Sequence, residues 1–424
     1  MKVVVAHNQY SSAQPSGENA VVAAEIDELT RAGVQVLPFL RSSDEIATFS
    51  PAQKAALAVS PIYARRAQRE LRELLRRERP DVVHLHNPYP LLSPWVIRTA
   101  QAEGVPVVHT LHNFRQVCVN GLFHRAAPAV PSPRSAREAD SSATSGVPEG
   151  VLPGSRPDGA PPASGRTCRA CVGRTIALPA VRYACYRGSR AQSAVMVTTL
   201  AVHRATWRRL DRVLALTPAM ADFARSLGVA PERILVRPNA VPDPGPAPGP
   251  GSGFLFAGRL SAEKGVTLLL EAWDRHPEGS LGPLRIAGDG PLAPLVRERA
   301  TVRRDVTYLG RLDRAGMAAA MRDAAVVVVP SQWEEVCPMV AIEALAHARP
   351  VLGTTLGGLP WLIDEAGWTV PPTVEALAAA LPMAAAAAAG LADRARAVYE
   401  ARYTPAVATR TLLDVYRGLA RSAG

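Results

Sequence analysis

Short, almost wholly apolar, β-branched runs recur along the chain between alanine-rich stretches, and no other feature restricts the fold as much. Val3-Val4-Val5-Ala6, Val82-Val83-His84-Leu85, Val105 to Val108 and Ala325 to Val329 are too short for helices and lack polar alternation. Each reads as a strand buried on both faces. Such strands need helices on either side, which implies doubly wound parallel sheets and an α/β protein. At 424 residues, 48% of them apolar, the chain is long enough for two full cores.

Residues 1–240 read as a first Rossmann-like domain. Pro and Gly fill 241–253, which read as a linker, and 254–403 read as a second Rossmann-like domain. Strands are expected at Phe254 to Ala257, Leu284 to Ala287, Val306 to Leu309, Ala325 to Val329 and Val351 to Thr354. A last helix within 404–424 follows the second sheet and is expected to pack back on the first domain. Within the first domain, Pro, Ser, Gly and Ala dominate 126–165 and aromatics are absent, so this stretch reads as a disordered insertion.

A strand begins at once after Met1, leaving no room there for a signal peptide. The apolar tract Ala376 to Ala392 is mostly alanine and contains Pro382, too weakly hydrophobic to span a membrane. The expectation is a cytoplasmic protein with reduced cysteines. Its formal net charge of +11 comes from arginines on separate predicted helices without interleaved aromatics, which argues against a nucleic-acid partner. Arg65, Arg66, Arg69, Arg72, Arg76 and Arg77, with Arg204, Arg208, Arg209 and Arg212, suit either a solvated face or an anionic surface. In the second case the protein would sit peripherally on the inner face of the cell membrane, or meet a phosphate-bearing acceptor.

Gly258-Arg259-Leu260-Ser261-Ala262-Glu263-Lys264-Gly265 places one of only three lysines beside an arginine on a glycine-framed turn. A compact ammonium where a strand enters a helix suits phosphate. Three more loops begin at strand ends: Gly288-Asp289-Gly290-Pro291, Ser331 to Glu343, and Gly357-Gly358-Leu359-Pro360. All four would line one rim of the second sheet, where such sheets bind ligands. Glu335 and Glu343 flank a helix N-terminus, an anion site with a carboxylate on either side for sugar hydroxyls.

This set of loops resembles the retaining glycosyltransferases of the GT-B fold, family 4, whose signature is a glutamate pair separated by seven residues, the spacing of Glu335 and Glu343. The likeness includes Ser16-Gly17-Glu18, the His84-Leu85-His86-Asn87 strand end and Arg237-Pro238-Asn239, and spans all but the insertion. It implies two Rossmann-like domains facing a central cleft and a nucleotide diphosphate sugar as donor. The acceptor would be a glycan or lipid-linked molecule, and catalysis would need no cofactor, in keeping with the lack of an Asp-X-Asp triplet. By the same resemblance His112, Glu335, Arg259 and Lys264 are catalytic. Gly17, Gly288, Pro338, Met339 and Glu343 join Arg259 and Lys264 in binding the donor. Val336-Cys337-Pro338, Trp361 and the unpaired glycine at Ser16-Gly17 depart from the family pattern. Those departures keep a non-catalytic nucleotide-sugar or glycan binding module open, beside a small-acceptor synthase of the same fold.

His109 reads as a packed or hydrogen-bonded residue, and His84 and His86 as caps of backbone groups at a strand end. Cys168-Arg169-Ala170-Cys171, with Cys118 before the insertion and Cys185 after it, offers four thiols in one domain. They read either as a tetrahedral structural zinc site or as free thiols.

Overall fold

A computed structural model describes residues 1–12, 16–57, 59–125 and 166–423; the stretch 126–165, read above as a disordered insertion, lies outside the described residues. Two six-stranded, all-parallel sheets form the molecule. The first contains β1 (Lys2–Gln9), β2 (Gln35–Ser42), β3 (Val82–Leu85), β4 (Val107–Leu111), β7 (Arg212–Ala215) and β8 (Ile234–Val236), in the order β2-β1-β3-β4-β7-β8. Between β4 and β7, β5 (His124–Arg125) and β6 (Arg166–Thr167) pair antiparallel as a separate two-stranded ladder.

The second sheet contains β9 (Phe254–Ala257), β10 (Leu284–Ala287), β11 (Val306–Gly310), β12 (Val326–Val329), β13 (Val351–Thr354) and β14 (Gly367–Val370). Its order is β11-β10-β9-β12-β13-β14. The chain reverses its direction of winding between β1 and β3 in one sheet and between β9 and β12 in the other. At such a reversal the flanking helices diverge and leave a crevice beyond the C-terminal strand ends.

β14 escapes sequence reading because it is an edge strand: Gly-Trp-Thr-Val is half-buried throughout and lacks a buried apolar run. The fully buried strands are mostly apolar where helices cover both faces, as in Val326-Val327-Val328-Val329, with His84 in β3 and His109 and Thr110 in β4 among the exceptions.

The helix Pro405–Ala423 does not belong to the sheet it follows. Its Leu412, Tyr416 and Leu419 pack with Val3, Val5, Val22, Leu29 and Val82 of the first unit. The crossing is tied down on the way. Tyr399 Oη donates to Val241 O at 3.0 Å, and Tyr403 Oη donates to Leu362 O at 3.0 Å.

Within Val374–Arg421 one 18-residue window, with a mean hydropathy of 1.7, is apolar enough to cross a membrane. Its apolarity is largely alanine, and Leu377, Leu381 and Ala384 are buried in the core around Phe254 and Trp273. Because Leu412 is fully buried between the C-terminal helix and the first sheet, Leu412→Ala should lower unfolding free energy by about 2–5 kcal/mol. Urea denaturation of the full chain checks this.

Candidate active site

The four loops of the second sheet do share one rim, since β9, β10, β12 and β13 run parallel and each loop leaves a C-terminal end. Glu335 is buried there. Its Oε1 accepts from Lys264 Nζ at 2.8 Å and from Ser331 Oγ at 2.6 Å, while Oε2 has no hydrogen bond among the described residues. The Lys264 ammonium also lies 5.0 Å from the Trp333 ring centroid. Arg259 pairs with Glu263, whose carboxylate also accepts from Ser261 Oγ at 2.7 Å. Burial would raise the Glu263 carboxyl, but Ser261 and Arg259 outweigh it and hold it below the usual range. Both cations of the rim are thus neutralised one-for-one, and each keeps an accessible side for further anionic groups.

Close approach fixes this geometry. Gly357 has φ 63°, and a Cβ there would stand 2.2 Å from Glu335 O. Gly288 has φ 139°, and a Cβ there would stand 1.8 Å from Gly258 O. Only glycine allows either backbone to pass so near its neighbour. Pro338 precedes the helix Met339–Ala346 and occupies the position where its missing N–H costs nothing. Met339 stands across the cleft from Gly17: a Cβ on Gly17 would lie 3.7 Å from Met339 Cγ. Glu343, farther along that helix, is half-buried, and desolvation raises its carboxyl, with Arg314 acting against the shift. Its carboxyl makes no hydrogen bond among the described residues.

The histidines on the opposite side do not cap backbone groups. His86 Nδ1 is 2.8 Å from His112 Nε2, and His86 Nε2 is 3.2 Å from Glu25 Oε1. His84 Nδ1 faces Tyr416 Oη at 2.6 Å and Glu25 Oε1 at 3.1 Å, and its Nε2 faces Thr110 Oγ1 at 2.8 Å. His109 is the residue that meets backbone: its Nδ1 donates to Leu85 O at 2.8 Å, and its ring stacks on Trp207.

Glu25 was not anticipated. Burial would push its carboxyl up, but the Arg237 guanidinium at 2.7 Å, then His84 and His86, hold it well below the carboxylate range. The signal was an acid inside the stripe Val21, Val22, Leu29.

Glu25, His84 and His86 are spaced as three metal ligands could be. Arg237 already bonds the same carboxylate, so a cation there would meet a buried positive charge. The arrangement instead sets a tautomer. Burial, then His84, lowers His86 to about 4, and burial, then His86 and His7, holds His112 well below its usual value, so both rings are neutral. An ionised Glu25 favours the His86 proton on Nε2, 3.2 Å from Glu25 Oε1, although the two atoms are not in hydrogen-bond geometry. His86 Nδ1 then accepts, the His112 proton lies on Nε2, and His112 Nδ1 is left as an acceptor.

Two family profiles match this chain: "Glycosyl transferases group 1" over residues 251–386 and "Glycosyltransferase Family 4" over residues 15–141. The chain belongs to the group 1, family 4 glycosyltransferases. An uncharacterized glycosyltransferase of Methanocaldococcus jannaschii is 32% identical over 163 residues, 37% of each chain. A D-inositol 3-phosphate glycosyltransferase of Mycobacterium avium is 31% identical over 177 residues, 38% of this chain and 41% of the relative. These matches span well under half of either relative's length. Sucrose-phosphate synthase of Thermosynechococcus elongatus superposes with a TM-score of 0.67 at 19% identity, covering 99% of both chains. Anabaena HepE in complex with UDP superposes at 0.62 with 16% identity, covering 99% of this chain and 100% of that one. The GT-B fold of this glycosyltransferase is therefore shared along its whole length.

Beside the glycosyltransferase's Gly17 is a half-buried polar cluster that sequence reading missed. Tyr10 Oη donates to Glu18 Oε2 at 3.1 Å, and the Glu18 carboxyl is pushed up to about 7 by burial, against the pull of Arg115. The Arg115 guanidinium lies 5.5 Å from the Tyr10 ring and has no hydrogen bond among the described residues. The basic helix Arg65–Glu78 is less free than its sequence suggests. Arg66 pairs with Glu70, Arg69 with Glu73, and Arg72 and Arg76 share Glu103. Cys118, Cys168, Cys171 and Cys185 are half-buried in the first unit, and Cys337 is buried under the donor loop; all five are free thiols.

Burial, first among the causes in each case, depresses His7 and His86 to about 4, His109 to about 3 and His203 to about 4. Between their ordinary value near 6.5 and these values the unfolded chain binds protons that the native one refuses, so stability falls as pH drops. Glu18 and Glu343, raised by burial, act in the opposite sense but are outnumbered. The urea midpoint should therefore be lower at about pH 5 than at about pH 7; a flat profile would contradict the neutral histidine network.

Proposed function

We propose that this glycosyltransferase moves a sugar from a nucleotide diphosphate sugar to a glycan or lipid-linked acceptor, with retention of configuration. The observation that carries the reading is the Lys264–Glu335 pair, a cation for phosphate and a carboxylate with one unused oxygen for sugar hydroxyls. Arg259 and Lys264 would take the diphosphate, with the backbone N–H groups beginning at Met339 and the tight turn at Gly288 beside it. Glu343, desolvated and without a hydrogen-bond partner, suits a pair of ribose hydroxyls. Anabaena HepE, which shares the fold, has been crystallised with UDP-glucose, and this supports a donor of that class.

In the transfer step the bond from the anomeric carbon to the diphosphate breaks, and a bond to the acceptor oxygen forms on the same face. The acceptor proton passes to the departing phosphate. Charge then grows on the diphosphate, where Arg259 and Lys264 stabilise it more in the transition state than in the ground state. His112, with Nδ1 held bare, accepts a hydrogen bond from a hydroxyl of the bound sugar and so orients it. No catalytic divalent ion or other cofactor enters this reading, because the two cations of the rim do that work. The Arg115 guanidinium on the first-unit side lies against the Tyr10 ring and near Glu18 but donates no hydrogen bond among the described residues, which favours an acceptor that carries a phosphate, as lipid-linked glycans do. A peripheral, cytoplasmic position at the membrane accords with that acceptor.

UDP, GDP, ADP and TDP should be compared in thermal denaturation. A bound nucleotide at about a hundredfold excess over its dissociation constant stabilises by about 2.7 kcal/mol. One of the four is expected to raise the midpoint, and Lys264→Ala to abolish the shift. Slow hydrolysis of the matching donor should fall by about a hundredfold or more in Glu335→Gln. No shift with any nucleotide would favour a non-catalytic glycan-binding module.

For the membrane reading, Arg69, Arg72 and Arg76 changed to Glu together should abolish sedimentation with anionic vesicles. Unchanged sedimentation would leave those arginines as a solvated, acid-paired face.

A further inference from the structure

Four of the five cysteines lie in one loop-rich lobe on the acceptor side of the cleft. Cys118 occupies the turn after β4, its N–H bonded to Phe114 O at 2.9 Å. Cys168 follows β6 directly, its N–H bonded to Phe123 O at 2.6 Å, so the β5–β6 ladder draws these two segments together. Cys171 lies within the next turn, its carbonyl accepting from Arg174 N at 3.3 Å. Cys185 closes the turn beyond the short helix Leu178–Arg182, its N–H bonded to Ala180 O at 3.0 Å. Cys118, Cys171 and Cys185 all pack on the edge of one apolar cluster. The Cys118 thiol donates to Asn120 Oδ1 at 2.9 Å and the Cys171 thiol to Ala177 O at 3.9 Å, so neither sulfur is committed to a distant partner. Three separate stretches of chain thus deliver four thiols to one neighbourhood.

The lobe lacks other means of holding its shape. Of the apolar residues between Cys171 and Cys185, only Ala177 and Ala180 are buried, whereas Val172, Ile176, Leu178 and Tyr183 are exposed. Phe123, Ala184 and Arg187 take left-handed backbone conformations without being glycine. Segments so poor in core generally need a covalent or metal crosslink. Positive charge is plentiful. Arg125, Arg169, Arg174, Arg182 and Arg187 all belong to the same lobe. This suits four thiolates on one dication, a site that is left with two negative charges.

We propose that Cys118, Cys168, Cys171 and Cys185 bind one structural zinc ion as a four-thiolate site that fixes this lobe against the cleft. As protonated thiols they stand apart: no three of their sulfurs lie within 4.8 Å of one another. Binding releases the thiol protons to solvent and draws the sulfurs to the roughly 3.8 Å separation that zinc–sulfur bonds of about 2.3 Å impose on a tetrahedron. The metal would then hold Arg169, between two of its ligands, where it bonds Glu334 with Nε at 2.8 Å and Nη2 at 2.5 Å. Glu334 is the neighbour of Glu335, so the site braces the donor loop from across the cleft.

The test is metal content, which does not depend on the transferase reading. The full chain, purified without chelator from zinc-supplemented cells, should contain about one zinc per chain by plasma mass spectrometry. A mercurial reagent should release that zinc. Cys168→Ser and Cys185→Ser should lose the metal, and Cys337→Ser should keep it. Less than about 0.2 zinc per chain in the folded wild-type protein would overturn the proposal. So would a disulfide joining any two of the four in peptide mass spectra.

Discussion

The buried ion pair of Glu25 and Arg237 is the contact on which the remaining architecture rests. It joins residues 212 positions apart, at 2.7 Å and almost out of solvent. Arg237 also donates to Ala408 O at 3.2 Å, which ties the approach to the linker to the returning C-terminal helix. Three parts of the chain that no local preference would unite are therefore held at one carboxylate. A buried pair of this kind adds little net stability over an apolar replacement, but either partner left alone would cost about 3–5 kcal/mol. Its effect is to specify one arrangement: the charge on Glu25 orders the protons of His86 and His112, and helix packing sets the position of Glu25.

The donor side works by a different balance. Its cations are each matched by one acid, Lys264 by Glu335 and Arg259 by Glu263, and all four groups sit on loops that glycines allow to touch. Without ligand the charges satisfy one another. Under the proposed function a diphosphate would compete for the cations while its sugar hydroxyls engaged the carboxylate, so the groups that satisfy one another in the empty site would become its recognition elements.

Much of this could be read from sequence, and the exceptions share a cause. The buried strands announced themselves because parallel sheets covered on both faces demand unbroken apolar runs, and the four donor loops followed from strand ends that must share a rim. β14 did not, being a half-buried edge. Glu25 and Arg115 were legible only as polar residues among apolar ones, a pattern whose meaning depends on partners far along the chain. His84 and His86 were placed correctly on their strand end, but their rings meet side chains from the first and last helices, and spacing along one strand does not report those neighbours.

The β5–β6 ladder pairs His124 with Thr167 and Arg125 with Arg166, so the entry and exit of the stretch 126–165 are clasped before that stretch begins. The entropic cost of closing a loop grows only slowly with its length once its ends are fixed. The clasp therefore lets the length of that stretch vary at little added closure cost, so that its two ends meet the first unit at one place whatever the number of residues between them.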